Sequence, residues 1–413
     1  MITYVLRKLG YGLLVLWGVV TVVFFLFNLA PGDPVRNLVG ENASQEVIVN
    51  MRRKLDLDLA VGPRYMLYLN DLSPISVHSS DSLSRVFFDH TEYIGVRIWF
   101  AGHGKAPYVK IPYLKRSFLS DKSVSSILAE VMPGTIVLAM VSIGIALIIG
   151  LLMGIVAALK KDGFYDRLIL FVSALGMAGP SFFVAILVAW LGAVVWREAF
   201  VISVGGGLLL VSLVVSVVVY QRKKYRLIWL VPCVVFIAFF VDAFHLDATL
   251  VTLPGTGLNM TGSLYSVDVW KGEFLDLKNL ILPVITLMIR PLSVIVQLTR
   301  SSLLDVLQQD YIRTARAKGL SEWEVIFRHA LRNALNPVIT AVSGWFASLL
   351  AGAIFVEFVF GWKGLGQQMF TAIENQDMPV VMGGVIVISA AFVIINILVD
   401  LLYAWIDPRV RMS

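Results

Sequence analysis

Residues able to do chemistry are few in this sequence of 413 residues, and most of them crowd into one segment. It runs Asp310-Tyr311-Ile312-Arg313-Thr314-Ala315-Arg316-Ala317-Lys318-Gly319-Leu320-Ser321 and continues through Arg328 to Arg332-Asn333-Ala334-Leu335-Asn336-Pro337. Guanidinium and ammonium groups at this density pair with carboxylates and donate charge-assisted hydrogen bonds. A link between two long apolar runs needs no such length, because most connections are about two to eight residues. A solvated connector would also carry basic residues, but it gains nothing from making Ala315, Ala317 and Gly319 small. Small residues let another backbone approach closely. The segment is built to be touched.

Its punctuation is local. Gly319 is suited to the left-handed conformation that closes a helix. Ser321 and Glu324 have the S-x-x-E spacing of a capping box that opens the next one. Pro337 marks the start of the following span. The spacing predicts a short helix, a turn, and a second helix lying parallel to a membrane surface, over about 305–336.

Catalytic constellations do not occur. The sequence has no G-x-x-x-x-G-K-[ST] phosphate loop, no H-E-x-x-H and no G-x-S-x-G. No nucleophile and base pair is readable, so the expectation is a non-catalytic chain without cofactor. His78, His90 and His103 have a spacing that fits no metal-ligand pattern, which predicts scattered surface histidines and no metal site. The one cysteine, Cys233, lies in an apolar run and has no partner for an internal disulfide.

The elements that hold these residues are apolar. Hydrophobic residues make up 58% of the chain and charged ones 15%, with a mean hydropathy of +0.81. Soluble domains sit near 45–50% and about 25%. Uncharged runs at 9–32, 131–159, 168–196, 199–221, 333–356 and 378–399 each reach across roughly 30 Å of hydrocarbon. Two weaker candidates are 227–241, which is short, and 280–299, interrupted by Arg290-Pro291. Backbone groups in lipid must be satisfied within the segment, which leaves helices. The prediction is an all-α, polytopic helical bundle of about eight transmembrane helices.

A net charge of +6 could point to nucleic acid, but where the charges fall points instead to topology. Lysines and arginines gather in alternate loops, Lys160-Lys161, Arg222 to Arg226 and the 305–336 segment, with Arg7-Lys8 and Arg409 at the ends. The positive-inside rule then puts both termini in the cytoplasm. The bilayer is the expected partner, not nucleic acid. Arg7-Lys8 before an apolar run resembles a signal peptide, but the run exceeds the usual 7–15 residues, which predicts an uncleaved anchor.

The expected organisation is an anchor helix at 1–32, an extracytoplasmic segment with an insertion at 33–130, core helices at 131–197, an added hairpin at 198–246, and core helices at 247–410. In the extracytoplasmic segment, 55–58 and 65–69 read as short surface helices, and the fold of 73–112 is unreadable.

Tyr311 to Leu320 and Arg328-His329-Ala330-Leu331-Arg332-Asn333 resemble the cytoplasmic coupling loop of ABC importer permeases of the dipeptide, oligopeptide and nickel class. Arg300-Ser301-Ser302-Leu303-Leu304 and Ala30-Pro31-Gly32-Asp33-Pro34 match the same family. So do Glu357-Phe358-Val359-Phe360 with Gly364-Leu365-Gly366, and Asp400-Leu401-Leu402-Tyr403 with Asp407-Pro408-Arg409. The resemblance covers about 4–72, 112–196 and 278–410. It implies a six-helix importer core in a bacterial inner membrane, to which 198–246 adds a hairpin. It also implies a second homologous permease, two cytoplasmic ATPases and an external substrate-binding protein as partners. Tyr311, Arg313, Thr314, Ala315, Arg316, Ala317, Lys318, Gly319, Leu320, Ser321 and Arg328 would then seat in the ATPase. An ion-gradient-driven transporter or channel is the alternative, for which a broken helix at Arg290-Pro291 would be expected.

Arg290, Gln297 and Glu357 are candidates to line the substrate path. An arginine at the middle of a span costs about 2.5–3.5 kcal/mol on insertion scales, so it faces protein or a water-filled cavity. Arg290 either attracts the carboxylate of a peptide, forms a structural pair with an acid on another helix, or lies nearer an interface through a shift of the span. Glu357 reads as a gate or packing residue at the outer end of its span.

Overall fold

The computed structural model describes residues 2–29, 35, 39–40, 44–81, 84–98, 105–197, 200–203, 249–253, 255–268, 270 and 272–406. Among these, four helices are long and apolar enough to cross a membrane. They belong to α1 (Ile2–Leu29), α4 (Val124–Leu159), α7 (Ile281–Leu307) and α14 (Met378–Ile406). A bent pair, α5 (Phe164–Ala178) with α6 (Ser181–Trp190) and its π-turn Leu191–Val195, makes a fifth if counted as one span. The chain is a mostly helical membrane protein. Leu13, Leu14, Trp17, Val22 and Leu26 of α1 are exposed, a surface that lipid tails tolerate and water does not.

The bundle closes around α4 and α7. Gly150 and Gly154 of α4 face Ile295 and Thr299 of α7, where an added Cβ would come within 2.7 and 2.6 Å. The G-x-x-x-G spacing thus lets two backbones pack at a distance no larger residue allows. Leu138, Leu282, Leu287, Leu350, Phe360 and Trp362 fill the core beside this contact. α1 lies along α14, with Gly12 against Val393 and Lys8 2.7 Å from Asp400.

Three sequence expectations change here. Arg290-Pro291 does not interrupt its helix, since α7 is continuous from Ile281 to Leu307. The break lies instead at Gly179-Pro180, where Gly179 is extended (ψ 139°) and the helices on either side bend by 109°. Proline disfavours the helical conformation in the residue before it. Arg290 stays helical with Pro291 buried in the bundle, whereas Gly179 gives way. The third change is the expected span at 199–221. Phe200–Ser203 (β4) pairs antiparallel with Thr249–Leu253 (β5), so that span does not begin as a helix. The remainder of the added hairpin lies outside the described residues, as do Cys233, Ala30 to Pro34 and Arg409.

The run at 333–356 is also divided. α10 (Leu331–Ala334) leads into α11 (Asn336–Gly352), and α12 (Ile354–Val359) follows after Ala353. α13 (Leu365–Glu374) precedes α14.

Between α1 and α4 stand α2 (Gln45–Lys54), α3 (Val61–Leu72) and an antiparallel sheet. The sheet holds β1 (Ile75–Ser79), β2 (Gly95–Arg97) and β3 (Lys105–Lys110) in the order β1-β3-β2. β6 (Tyr265–Asp268) and β7 (Gly272–Leu275) form a further hairpin before α7. The described chain therefore adds small sheets to the expected all-α bundle, all of them in segments between spans. His78 is buried beside Phe88, Tyr93 and Tyr108, and His90 lies against Phe88. The expectation of a surface position fails for His78, and His103 is outside the described residues.

Candidate functional site

The 305–336 segment folds as the local signals require. α8 (Asp310–Ala317) ends at Lys318, and Gly319 adopts φ +78°. Ser321 then caps α9 (Glu322–Glu324) with both halves of a capping box in place, Ser321 Oγ accepting from Glu324 N and Glu324 accepting from Ser321 N. Hydrogen bonds from Ser321 hold the Glu324 carboxyl below the usual carboxylate range. From Val325 to Ala330 the chain winds as a π-turn, a form that recurs at functional sites.

This segment has a core of its own. Ile312, Ala315, Val325, Ile326 and Ala330 are buried with Leu303 of α7 and Ile155 and Ala158 of α4. The loop is thereby fastened to the ends of the two helices that form the centre of the bundle. Leu320 packs at the edge of the same cluster. The loop and the ends of α4 and α7 thus share one packed cluster, and close-packed interiors transmit strain.

The outer face carries the remaining predicted residues. Tyr311, Arg313, Thr314, Arg316, Ala317, Lys318, Gly319, Ser321 and Arg328 are exposed. Tyr311 accepts from Asn333 at 2.8 Å, and Thr314 donates to Asp310 O. Arg316 binds Glu322 through two bonds of 2.9 and 3.2 Å, and Arg313 sits 3.4 Å from Asp310. Two cations expected to pair outside the chain thus already have exposed partners within it. A Cβ on Gly319 would meet nothing within 4 Å, so the space beside it is open. Ala315 is a correction: it is 6% exposed and faces the loop's own core, so its small size serves internal packing.

The sequence reading missed the most distinctive part of this face. Trp323 is 69% exposed and stacks on Phe327, their rings 5.1 Å apart and 13° from parallel. Two aromatics at i and i+4 read as a core stripe. Here Val325 and Ile326 take the core positions and the aromatics point out. Such a patch, with Arg328 next to Phe327 in the chain and Arg316 bound to Glu322 next to Trp323, has the composition of a protein interface.

The path candidates separate. Arg290 and Gln297, seven residues apart, share a face of α7 directed at the α5–α6 break. Arg290 is exposed, and its Nη2 donates to the Gly179 carbonyl at 3.1 Å. Gln297 Nε2 lies 3.4 Å from Met177 Sδ, and Ser301 continues the face as an exposed residue. Glu357 goes elsewhere. It is 0% exposed and accepts from Thr135 Oγ1 at 2.7 Å, Gly366 N at 2.7 Å and Gln367 N at 3.1 Å. Both amides belong to the first turn of α13, where a carboxylate is favoured by the helix dipole. Glu357 joins α4, α12 and α13 and offers no surface to a path.

A second ionic contact was not foreseen. Asp166, 1% exposed, accepts from Arg300 Nη2 at 2.7 Å and from Asp162 N at 2.8 Å. It ties the start of α5 to α7, 134 residues away, and no local pattern in the sequence announces it.

With this geometry in view, the chain was compared with known proteins. A family model described as "Binding-protein-dependent transport system inner membrane component" matches residues 225–412. One described as "Binding-prot-dependent transport system membrane comp, N-term" matches residues 1–82. A dipeptide transport system permease protein of Alkalihalophilus pseudofirmus is 32% identical over 416 aligned residues, covering 100% of both chains. A probable D,D-dipeptide transport system permease protein of Escherichia coli K12 is 32% identical, covering 98% of this chain and 97% of its own. A di/tripeptide transport system permease protein of Pseudomonas aeruginosa is 30% identical, covering 100% and 99%.

Proposed function

The chain belongs to the binding-protein-dependent transport system inner membrane components, and on that premise we propose that it forms half of the translocation pathway of an ATP-driven importer for peptides. It is a multi-pass protein of the bacterial inner membrane. The other half is a second homologous permease, cargo arrives on an external binding protein, and two cytoplasmic ATPases supply the work. Both termini lie in the cytoplasm, with about eight spans including an added pair in the apolar sequence after Ser203.

The observation that carries this reading is the two-sided loop. Its inner side is buried against α4 and α7, while Trp323, Phe327 and four basic residues face out. An ATPase that closes on ATP and grips this face would displace α7, and with it the Arg290–Gln297 face. The ion-gradient alternative would use a broken helix such as α5–α6, but it has no ATPase to receive the loop's exposed face.

The decisive experiment places a photoreactive maleimide on Phe327→Cys in the assembled complex. Crosslinking into the ATPase subunit, changed by ATP, is the expected result. Labelling confined to lipid or to the permease itself overturns the coupling role. For the path, Arg290→Gln in proteoliposomes should weaken uptake of cargo with a free carboxylate more than of neutral cargo. Equal loss for both, with lower thermal stability, would assign Arg290 to bracing the Gly179 carbonyl instead.

A further inference from the structure

A cavity of about 600 Å³ opens where the outer part of α1, α3 and the start of α14 meet, away from the loop and the α7 face. Its size is in the range of roughly 300–1,000 Å³ that takes a small organic ligand. Phe24, Phe27 and Met382, all from membrane helices, contribute an apolar floor. Arg52, Arg64 and Lys115 come from the segment between spans and stand at the same cavity, which no carboxylate among the described residues lines. Apolar walls at membrane depth below a cationic rim describe one kind of occupant.

Arg64 is the least satisfied of the three cations. Lys115 lies 3.7 Å from both Asp56 and Asp71. The Arg64 guanidinium makes neither hydrogen bond nor ion pair among the described residues. Its one close partner is the Phe24 ring, 5.9 Å from the guanidinium carbon. Burial pulls the Arg64 pKa below its ordinary value, opposed by Asp56. Arginine keeps its proton at any accessible pH, so a half-buried guanidinium without an acceptor lacks a ligand. Phosphate oxygens, like those of a carboxylate, fit its planar donor fork, and a phosphate joined to acyl chains also fits the apolar floor.

α3 is held firmly enough to present that donor. Tyr65 hydrogen-bonds Thr21 at 2.6 Å, and Tyr68 stacks on Phe24 with rings 5.5 Å apart. These contacts pin α3 across α1 near the end of its apolar span, at Thr21 and Phe24.

We propose that this cavity binds an anionic glycerophospholipid, its phosphate on Arg64 between Arg52 and Lys115 and its acyl chains along α1 and α14. The lipid fills the angle between the first and last described spans, so it steadies a packing contact that the protein itself leaves open.

Native mass spectrometry of the purified full chain, titrated with phosphatidylglycerol and with phosphatidylcholine, tests this. Wild type should retain phosphatidylglycerol about tenfold better: both lipids offer the phosphate, but only phosphatidylcholine brings a quaternary ammonium against the cations Arg52, Arg64 and Lys115. Arg64→Gln should bring the preference close to unity. In parallel, wild-type protein in vesicles containing phosphatidylglycerol with a headgroup-proximal diazirine should crosslink at residues 52–68 or 114–118. That second measurement needs no variant and holds even if Arg64→Gln fails to fold. No preference between the two lipids, an unchanged preference in Arg64→Gln, or crosslinks confined to other segments would each overturn the site. Displacement of the phosphatidylglycerol by millimolar inorganic phosphate would also overturn it, by assigning the cations to a free anion.

Discussion

The 305–336 loop and the turn around Glu357 are both polar insertions in an apolar bundle, yet they direct their polar groups in opposite directions. At Glu357 the acceptors are consumed inside: Thr135, Gly366 and Gln367 all donate to one carboxylate with no exposed surface. In the loop, aliphatic residues go inside and the arginines, lysine and large aromatics stay out. A satisfied buried network specifies architecture. An exposed aromatic pair beside cations has the composition of a protein interface. Burial, more than residue type, separates structural from functional polarity here.

The strongest way to break this contrast is Glu357→Leu. It strips the acceptor from two backbone amides and a hydroxyl, each buried donor costing about 1–3 kcal/mol. The folded yield should collapse, read by size-exclusion chromatography of a fluorescent fusion. Normal yield with lost uptake would return Glu357 to the substrate path.

Next comes Trp323→Ala, with or without Phe327→Ala. Truncated interface tryptophans typically cost about 2 kcal/mol or more of binding. The expected result is at least a tenfold loss of ATP-dependent uptake with an unshifted melting temperature. A melting shift with intact uptake would make the stack a structural feature and dissolve the distinction between the two regions.

Gly319→Val sharpens the contrast by separating strain from contact. A β-branched residue in the left-handed region costs about 1–2 kcal/mol, although Gly319 has open space around it. Uptake should fall while the loop stays attached to α4 and α7. Gly319→Asn, better tolerated at positive φ, should retain most activity, and a similar loss in both variants would point to steric exclusion of the partner.

The smallest effect concerns Lys110, a buried cation on the other side of the comparison, donating to Asp71 O at 2.7 Å. Burial lowers its pKa from 10.5 to about 8, with Asp71 opposing. Between those values the unfolded chain binds the proton more tightly than the folded one, so stability rises with pH through that window. Below pH 8 the burial penalty is fully present. Melting curves from pH 7 to 10.5 should show wild type gaining on Lys110→Met as pH increases, and parallel curves would remove the claim.

Legibility followed distance along the chain. Gly319, Ser321 and Glu324 act within a few residues of one another, so their turn was readable. Ala315 and Ala317 look alike in sequence, and only the docking of α8 onto Leu303 and Ile155 makes one internal and the other external. Trp323 and Phe327 were missed for the same reason. Proline misled: Arg290-Pro291 and Gly179-Pro180 carry similar local signals, and the bundle decided which of them bends. The strands at 75–79 and 105–110 escaped because their pairing spans about thirty residues of weakly patterned sequence.

The sequence by itself determined a membrane-embedded helical protein, the punctuation of its 305–336 loop and the family to which it belongs. These rest on composition and on interactions between near neighbours, which the chain carries into any fold. Tertiary structure alone decided that Glu357 meets Thr135 across 222 residues and that Arg300 meets Asp166 across 134. It also decided that Arg64 is left facing a cavity. A polar side chain's role depends on whether its partner is protein, water or another molecule, and packing sets that only once distant segments are brought together.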